Sequence, residues 1–372
     1  MKKLLSVLFL LVTLAVAAQK TKLLIGTYTS GKSEGIYVYD FNTATAENKF
    51  ISSAKTSNPS FVAVSPNKKM LYAVREDGDS VNNGGAVTAF RLNRKKTELR
   101  LINKQSSGGN HPCHVSVDKT GQWVVVSNYT GGSFSVLPVN KDGSLASAKT
   151  TIQHYGKSVH KERQEKPHVH SAVFSSDNKY LLVADLGIDK LMVYRFDESS
   201  GIVTEDATAS VSVSGGSGPR HIAFHPSQKF VYLTEELTGT VAGFSFSPTG
   251  KLKLFQTISA VPENYKGSFG GADIHVSPDG KFLYASNRGE LNDLVIYAID
   301  TATGVLSVVG HQSTLGIKPR NFNFDPSGDF LLVANQETDN IVIFSIDHAT
   351  GLLKDTGKQI SVPNPVCIVW VE

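Results

Sequence analysis

Cysteine is nearly missing from this chain: its 372 residues contain 2, Cys113 and Cys367. That excludes a disulfide scaffold, and both are read as free buried thiols. A surplus of one charge is missing too. Lys and Arg total 37 against 33 Asp and Glu, with no basic block. Nucleic-acid binding needs a clustered positive stripe, so it is not expected. No Gly-x-Ser-x-Gly elbow occurs, which argues against a serine hydrolase. No cluster of carboxylates resembles a calcium cage. Long amphipathic helical patterns are absent, whereas Gly is frequent at 32. The chain therefore reads as strands and turns.

Only the N-terminus holds a long apolar run. Met1-Lys2-Lys3 is basic, residues 4–15 are apolar, and Val16-Ala17-Ala18 are small. This layout predicts a signal peptide over 1–18, cleaved after Ala18, and a periplasmic or secreted protein free of the membrane. The mature chain, 19–372, is expected to be a single domain.

That chain repeats itself. Pro59-Ser-Phe-Val-Ala-Val-Ser-Pro66, Pro112-Cys-His-Val-Ser-Val117, Pro219-Arg-His-Ile-Ala-Phe-His-Pro226 and Pro319-Arg-Asn-Phe-Asn-Phe-Asp-Pro326 align without forcing. The segments at Pro167, Gly271 and Pro365 fill the same slot, so seven anchors lie 46 to 55 residues apart. Each of the first six is followed by a turn and an apolar run such as Phe230-Val-Tyr-Leu233. A repeat of about fifty residues built from strands alone predicts a blade of four strands. The expected fold is all-β, a seven-bladed β-propeller. The last repeat stops after one strand and the mature N-terminus starts one strand in. The C-terminal strand should therefore pair with the N-terminal strands and close the ring. Closure leaves no inner edge, so a monomer is expected.

In such a ring, residues opening each first strand and closing each second strand meet around one channel mouth. Asn128, Asp185, Asn287 and Asn335 at closing positions suit turn capping. Glu236 and Arg288 do not, because an ionised group beside a packed channel requires a partner. His170, Arg220 and Arg320 share one opening register. His, Arg and Glu together make a plausible acid–base and anion-binding ring. His168 and His170 form His-x-His, a pattern that can hold a metal. The preferred reading is hydrogen bonding in the channel, with no metal and no cofactor.

At these residues the sequence resembles the 6-phosphogluconolactonases of the seven-bladed propeller lactonase family. The resemblance spans essentially the whole mature chain. It is carried by Arg163-Gln-Glu-Lys-Pro-His-Val-His170, Gly218-Pro-Arg-His221, Glu235-Glu-Leu237, Gly271-Ala-Asp-Ile-His275 with Ser286-Asn-Arg-Gly289, and Lys318-Pro-Arg-Asn-Phe322 with Ala334-Asn-Gln336. It implies catalytic roles for His170, Arg220, Glu236 and Arg288. His114, His168, His221, Glu235, Asp273 and Arg320 are expected to contact the substrate. Glu235 stands where the family more often has Asn, which leaves open whether Glu236, Glu235 or His170 is the base. The implied reaction is hydrolysis of a sugar-acid δ-lactone, 6-phosphoglucono-1,5-lactone foremost. The alternatives are lactone formation, as in the family's fungal carboxymuconate enzyme, and a propeller that only binds a ligand or protein.

Overall fold

The computed structural model describes residues 20–78, 84–93 and 98–371. The expected signal segment, 1–18, lies outside them. Among the described residues, seven antiparallel sheets of at least four strands form a ring, and the one helical element is a single 3₁₀ turn at Leu186–Ile188. The innermost strands of blades 2 to 7 are Val62–Val64, Pro112–Val117, Val169–Phe174, Pro219–Phe224, Phe269–Val276 and Pro319–Phe324.

Blade 1 closes the circle as expected. Its order is Pro365–Val371, Lys20–Thr27, Gly35–Asn42, Asn48–Lys55, with the C-terminal strand innermost. The antiparallel register sets Leu23 opposite Trp370 and Ile25 opposite Ile368. The strand also packs beside the innermost strands of blades 2 and 7. Truncation before Pro365 should therefore open the ring and expose two apolar blade faces. Loss of a single cooperative unfolding transition is the expected result; a truncated chain that unfolds like the full one would contradict this closure.

The second strands explain the two-sided apolar runs. Trp123–Asn128 is buried at every position, and Met70–Arg75 at all but the last. Both faces of such a strand meet another blade. The buried apolar residues fall into seven clusters, each formed by two adjacent blades. Leu23, Phe41, Leu332 and Ile343, for example, join blades 1 and 7. A recurrent tyrosine pins neighbouring blades: the hydroxyls of Tyr232 and Tyr284 donate to the carbonyls of Gly304 at 2.7 Å and Gly351 at 2.6 Å. Outermost strands instead mix exposed and half-buried residues, as in Glu98–Ser106, with charges on the edge.

One irregularity recurs and shapes the channel. In blades 3 to 7 the pairing between the first two strands shifts near its start: between Pro112 and His114, Val169 and Ser171, Pro219 and Ile222, Gly271 and Ile274, and Pro319 and Asn321. A bulge leaves its extra residue unpaired and re-aims its side chain. The residues within these shifts include Cys113, His170, Arg220, Asp273 and Arg320.

Candidate active site

The bulges and the second-strand ends deliver a charged cluster to one channel mouth. Glu236 follows the strand Phe230–Glu235 and is its centre. Oε2 accepts from Arg220 Nε at 3.0 Å and lies 3.1 Å from Arg288 Nη2. Oε1 accepts from Arg163 Nη2 at 2.6 Å. Burial alone would raise the Glu236 carboxyl. The guanidiniums of Arg288, Arg220 and Arg163 outweigh it and hold the group well below the usual carboxylate range. Glu236 is thus a fixed negative charge and a poor proton acceptor.

The arginines differ in how they are held. Arg220 is only 1% exposed and also donates to the carbonyl of Ala272. Burial, with Arg288 and Arg320 nearby, lowers it to about 9, so it remains charged at neutral pH. Arg288 Nη2 donates to the Gly271 carbonyl at 2.9 Å. Arg320 donates to the Tyr28 hydroxyl at 2.8 Å, and that hydroxyl donates to Glu76 at 2.8 Å.

His170 stands beside the cluster. Its ring centroid lies 5.4 Å from that of Tyr129 and 5.2 Å from that of His221. The Cys113 thiol donates to the His170 carbonyl at 3.2 Å, and its sulfur is 3.9 Å from Nδ1. Burial first, then Arg220 and the other nearby cations, lowers His170 well below 6.5. At neutral pH the imidazole is unprotonated. Both thiols are free and buried, as expected.

The other expected residues separate into layers. Adjacent residues of a strand end diverge, so Glu235 turns away from Glu236 and accepts from Thr240, while burial raises its carboxyl. Asn128, Asn287 and Asn335 cap turns in the same register, donating to the carbonyls of Ser107, Ala260 and Thr314. His168 and His170 do not converge. The His168 ring stacks on Tyr129 with centroids 4.6 Å apart, and Nδ1 lies 3.1 Å from the Tyr129 carbonyl oxygen.

His114, His221 and Asp273 line the neck below the cluster. There they border a cavity of about 320 Å³ that runs toward the far ends of the inner strands. Asp273 accepts from His221 Nδ1 at 2.7 Å and from the amides of Ile274 and Phe322. Burial lowers His114 to about 3 and His221 to about 4. Below 6.5 the unfolded chain would take up protons that these folded imidazoles refuse. Their contribution to stability is complete above 6.5 and declines as pH falls toward about 4. The denaturant midpoint should therefore drop between neutral pH and about 4.5; an unchanged midpoint would mean the neck imidazoles charge freely.

Sequence reasoning left Arg163, Tyr129, Tyr28 and Glu76 out of the site. The last three share the closing register with Glu236 and Arg288, which was the available signal. Arg163 lies on the loop before blade 4 and carries no repeat signal at all.

A propeller whose channel mouth is lined with buried Arg, Glu and His can be compared with known proteins. Residues 22–370 match the family described as Lactonase, 7-bladed beta-propeller. The chain belongs to this family. It is 41% identical to the 6-phosphogluconolactonase of Bacillus subtilis, over 94% of this chain and 97% of that one. It is 40% identical to the 6-phosphogluconolactonase of Formosa agariphila, over 85% and 90%. Among solved structures it resembles the periplasmic gluconolactonase of Pseudomonas aeruginosa, with a TM-score of 0.90, 38% identity and coverage of 95% and 99%. The family match thus extends through nearly the whole chain.

Proposed function

We propose that this protein hydrolyses a sugar-acid δ-lactone, 6-phosphoglucono-1,5-lactone, to the open acid. The observation that carries this reading is the buried cluster in which Arg220 and Arg288 share Glu236 beside a neutral His170. The names of the relatives at 41% and 40% identity support the choice of substrate.

Attack of water on the lactone carbonyl releases a proton and builds negative charge on the carbonyl oxygen. His170 takes the proton from the attacking water: its imidazole makes no ion pair among the described residues, whereas both Glu236 oxygens are engaged by guanidiniums. Arg220 and Arg288 face the developing oxyanion, and Glu236 holds them in place before the reaction begins. Arg320 orients the substrate from the facing blade. The ring opens when the carbonyl re-forms, and the departing alkoxide takes back from His170 the proton that came from the water, becoming the sugar hydroxyl. No step calls for a cofactor.

A second substrate, unphosphorylated glucono-δ-lactone, is favoured by two observations. The signal-like segment 1–18 would export the chain, and a solved relative is a periplasmic gluconolactonase. The test is hydrolysis of freshly generated 6-phosphoglucono-δ-lactone and of glucono-δ-lactone by the chain from Gln19, measured above the spontaneous rate. Faster turnover of the phosphorylated lactone is expected. Faster turnover of the plain lactone would transfer the assignment to the second substrate, and inactivity on both would overturn lactone hydrolysis.

A further inference from the structure

Four guanidiniums, from Arg163, Arg220, Arg288 and Arg320, surround two carboxylates, Glu236 and Glu76, at the channel mouth. The excess of positive charge suits an anion of more than one charge. The four arginines are not equally free to meet it. Arg220 and Arg288 are tied to backbone carbonyls as well as to Glu236. Arg320 lies over the Tyr28 ring, 5.3 Å from its centroid, and donates to the same residue's hydroxyl.

Arg163 differs. Its side chain is 40% exposed where that of Arg320 is half-buried; as in Arg320, Nη2 alone makes its contacts, here to Glu236 Oε1 at 2.6 Å and Tyr129 Oη at 3.0 Å. Its Nε and Nη1 make no hydrogen bond among the described residues. Three of the five donors of a rigid fork are therefore left without a protein partner at the rim of the cluster.

The loop beneath it is stapled in place. The next residue, Gln164, is fully buried. Its side chain donates to the Leu186 carbonyl at 2.8 Å and accepts from the His160 amide at 3.0 Å. His154 at the loop's start lies 2.7 Å from Asp185 and 2.9 Å from the Tyr194 hydroxyl. Ser158 donates to Asp189 at 2.5 Å. The backbone of Arg163 is thus fixed, while its guanidinium is held only by two side-chain oxygens. Such an arrangement lets the free edge of the fork engage a ligand with little ordering cost.

We infer that Arg163 is a specificity-determining residue that binds the phosphate of the substrate through the free edge of its guanidinium. This rests on the lactonase reading for the substrate's identity. Arg and phosphate match in a bidentate, charge-assisted geometry that neither a sugar hydroxyl nor the δ-lactone ring offers. Arg163 therefore separates a phosphorylated lactone from its plain counterpart, while Arg220 and Arg288 serve the carbonyl common to both.

The experiment has a binding arm and a turnover arm. In the first, 6-phosphogluconate and gluconate are titrated calorimetrically into the wild-type chain and into Arg163→Met and Arg163→Lys. The preference for the phosphorylated acid should fall by about tenfold to a hundredfold in Arg163→Met, with part of it restored in Arg163→Lys. In the second, the ratio of kcat/KM for the two lactones should fall by a similar factor, mainly through KM. Equal loss for both ligands, or an unchanged ratio, would overturn the inference and leave the lactonase reading standing. A lost binding preference in a chain that hydrolyses neither lactone would support phosphate binding by Arg163 and overturn the lactonase reading.

Discussion

Replacing Glu236 by Gln is expected to abolish lactone hydrolysis and to lower folding stability by about 3–5 kcal/mol, the usual cost of removing one partner from a buried ion pair. The reason is the number of cations that depend on it. Arg220 is 1% exposed and would be left with Asp273 as an opposite charge against the like-charged Arg288 and Arg320. Gln can still accept hydrogen bonds, but it carries no charge to offset three guanidiniums. Activity and stability should therefore fall together. Adding Arg220→Met should restore part of the stability, because the stranded charge is then gone, without restoring turnover. Chemical denaturation of the single and double variants checks this. A Glu236→Gln chain with wild-type stability would mean that Glu236 does not compensate Arg220.

His170→Gln should have the opposite profile: a folded protein with kcat reduced by about 10²–10⁴, the usual contribution of a positioned general base. The pH dependence gives a sharper check. A free imidazole would lose basicity as pH falls through 6.5, but burial and Arg220 lower His170 well below that value. The wild-type rate should stay level from neutral pH down through 6.5 and decline only in more acid solution. In His170→Gln the residual rate should lack that acid limb. An identical limb in the variant would assign it to another group and remove His170 from the role of base.

The two variants probe different dependencies on the fold. Glu236 and His170 come from blades 5 and 4, and neither acts alone. The strand ends place the carboxylate, and the bulge in Val169–Phe174 places the imidazole. Because both are set by the backbone, small side-chain changes in the second strands should leave them in position.

The blade count and ring closure were legible in the sequence because they rest on period and patterning. Each β-branched or aromatic run between turn residues in the repeats forms a strand of the ring. Seven equivalent anchors with one incomplete repeat at each end leave closure as the way to pair every inner strand. Glu236 and Arg288 also stood out, since an ionised side chain in a register otherwise held by turn caps has to find a counter-charge. Their actual partners were not legible. The sequence offered Glu235 and Glu236 as adjacent, chemically equal carboxylates. The strand end turns one toward Thr240 and the other toward three arginines. His168 and His170 looked like a pair for the same reason. The irregular start of their strand sends one ring onto Tyr129 and the other beside Cys113.

Local periodicity alone therefore determined the architecture: all-β, seven blades, a ring closed by its last strand, and a mouth where repeat positions converge. Tertiary structure decided the chemistry. Arg163 lies on a non-repeating loop, 73 residues from Glu236 in sequence, and only the folded ring brings the two within 2.6 Å. Which carboxylate is charged, which imidazole is neutral and which guanidinium keeps an exposed free edge depend on burial and on charges arriving from other blades. No window of sequence contains those quantities, because each is a property of the neighbours that the fold supplies.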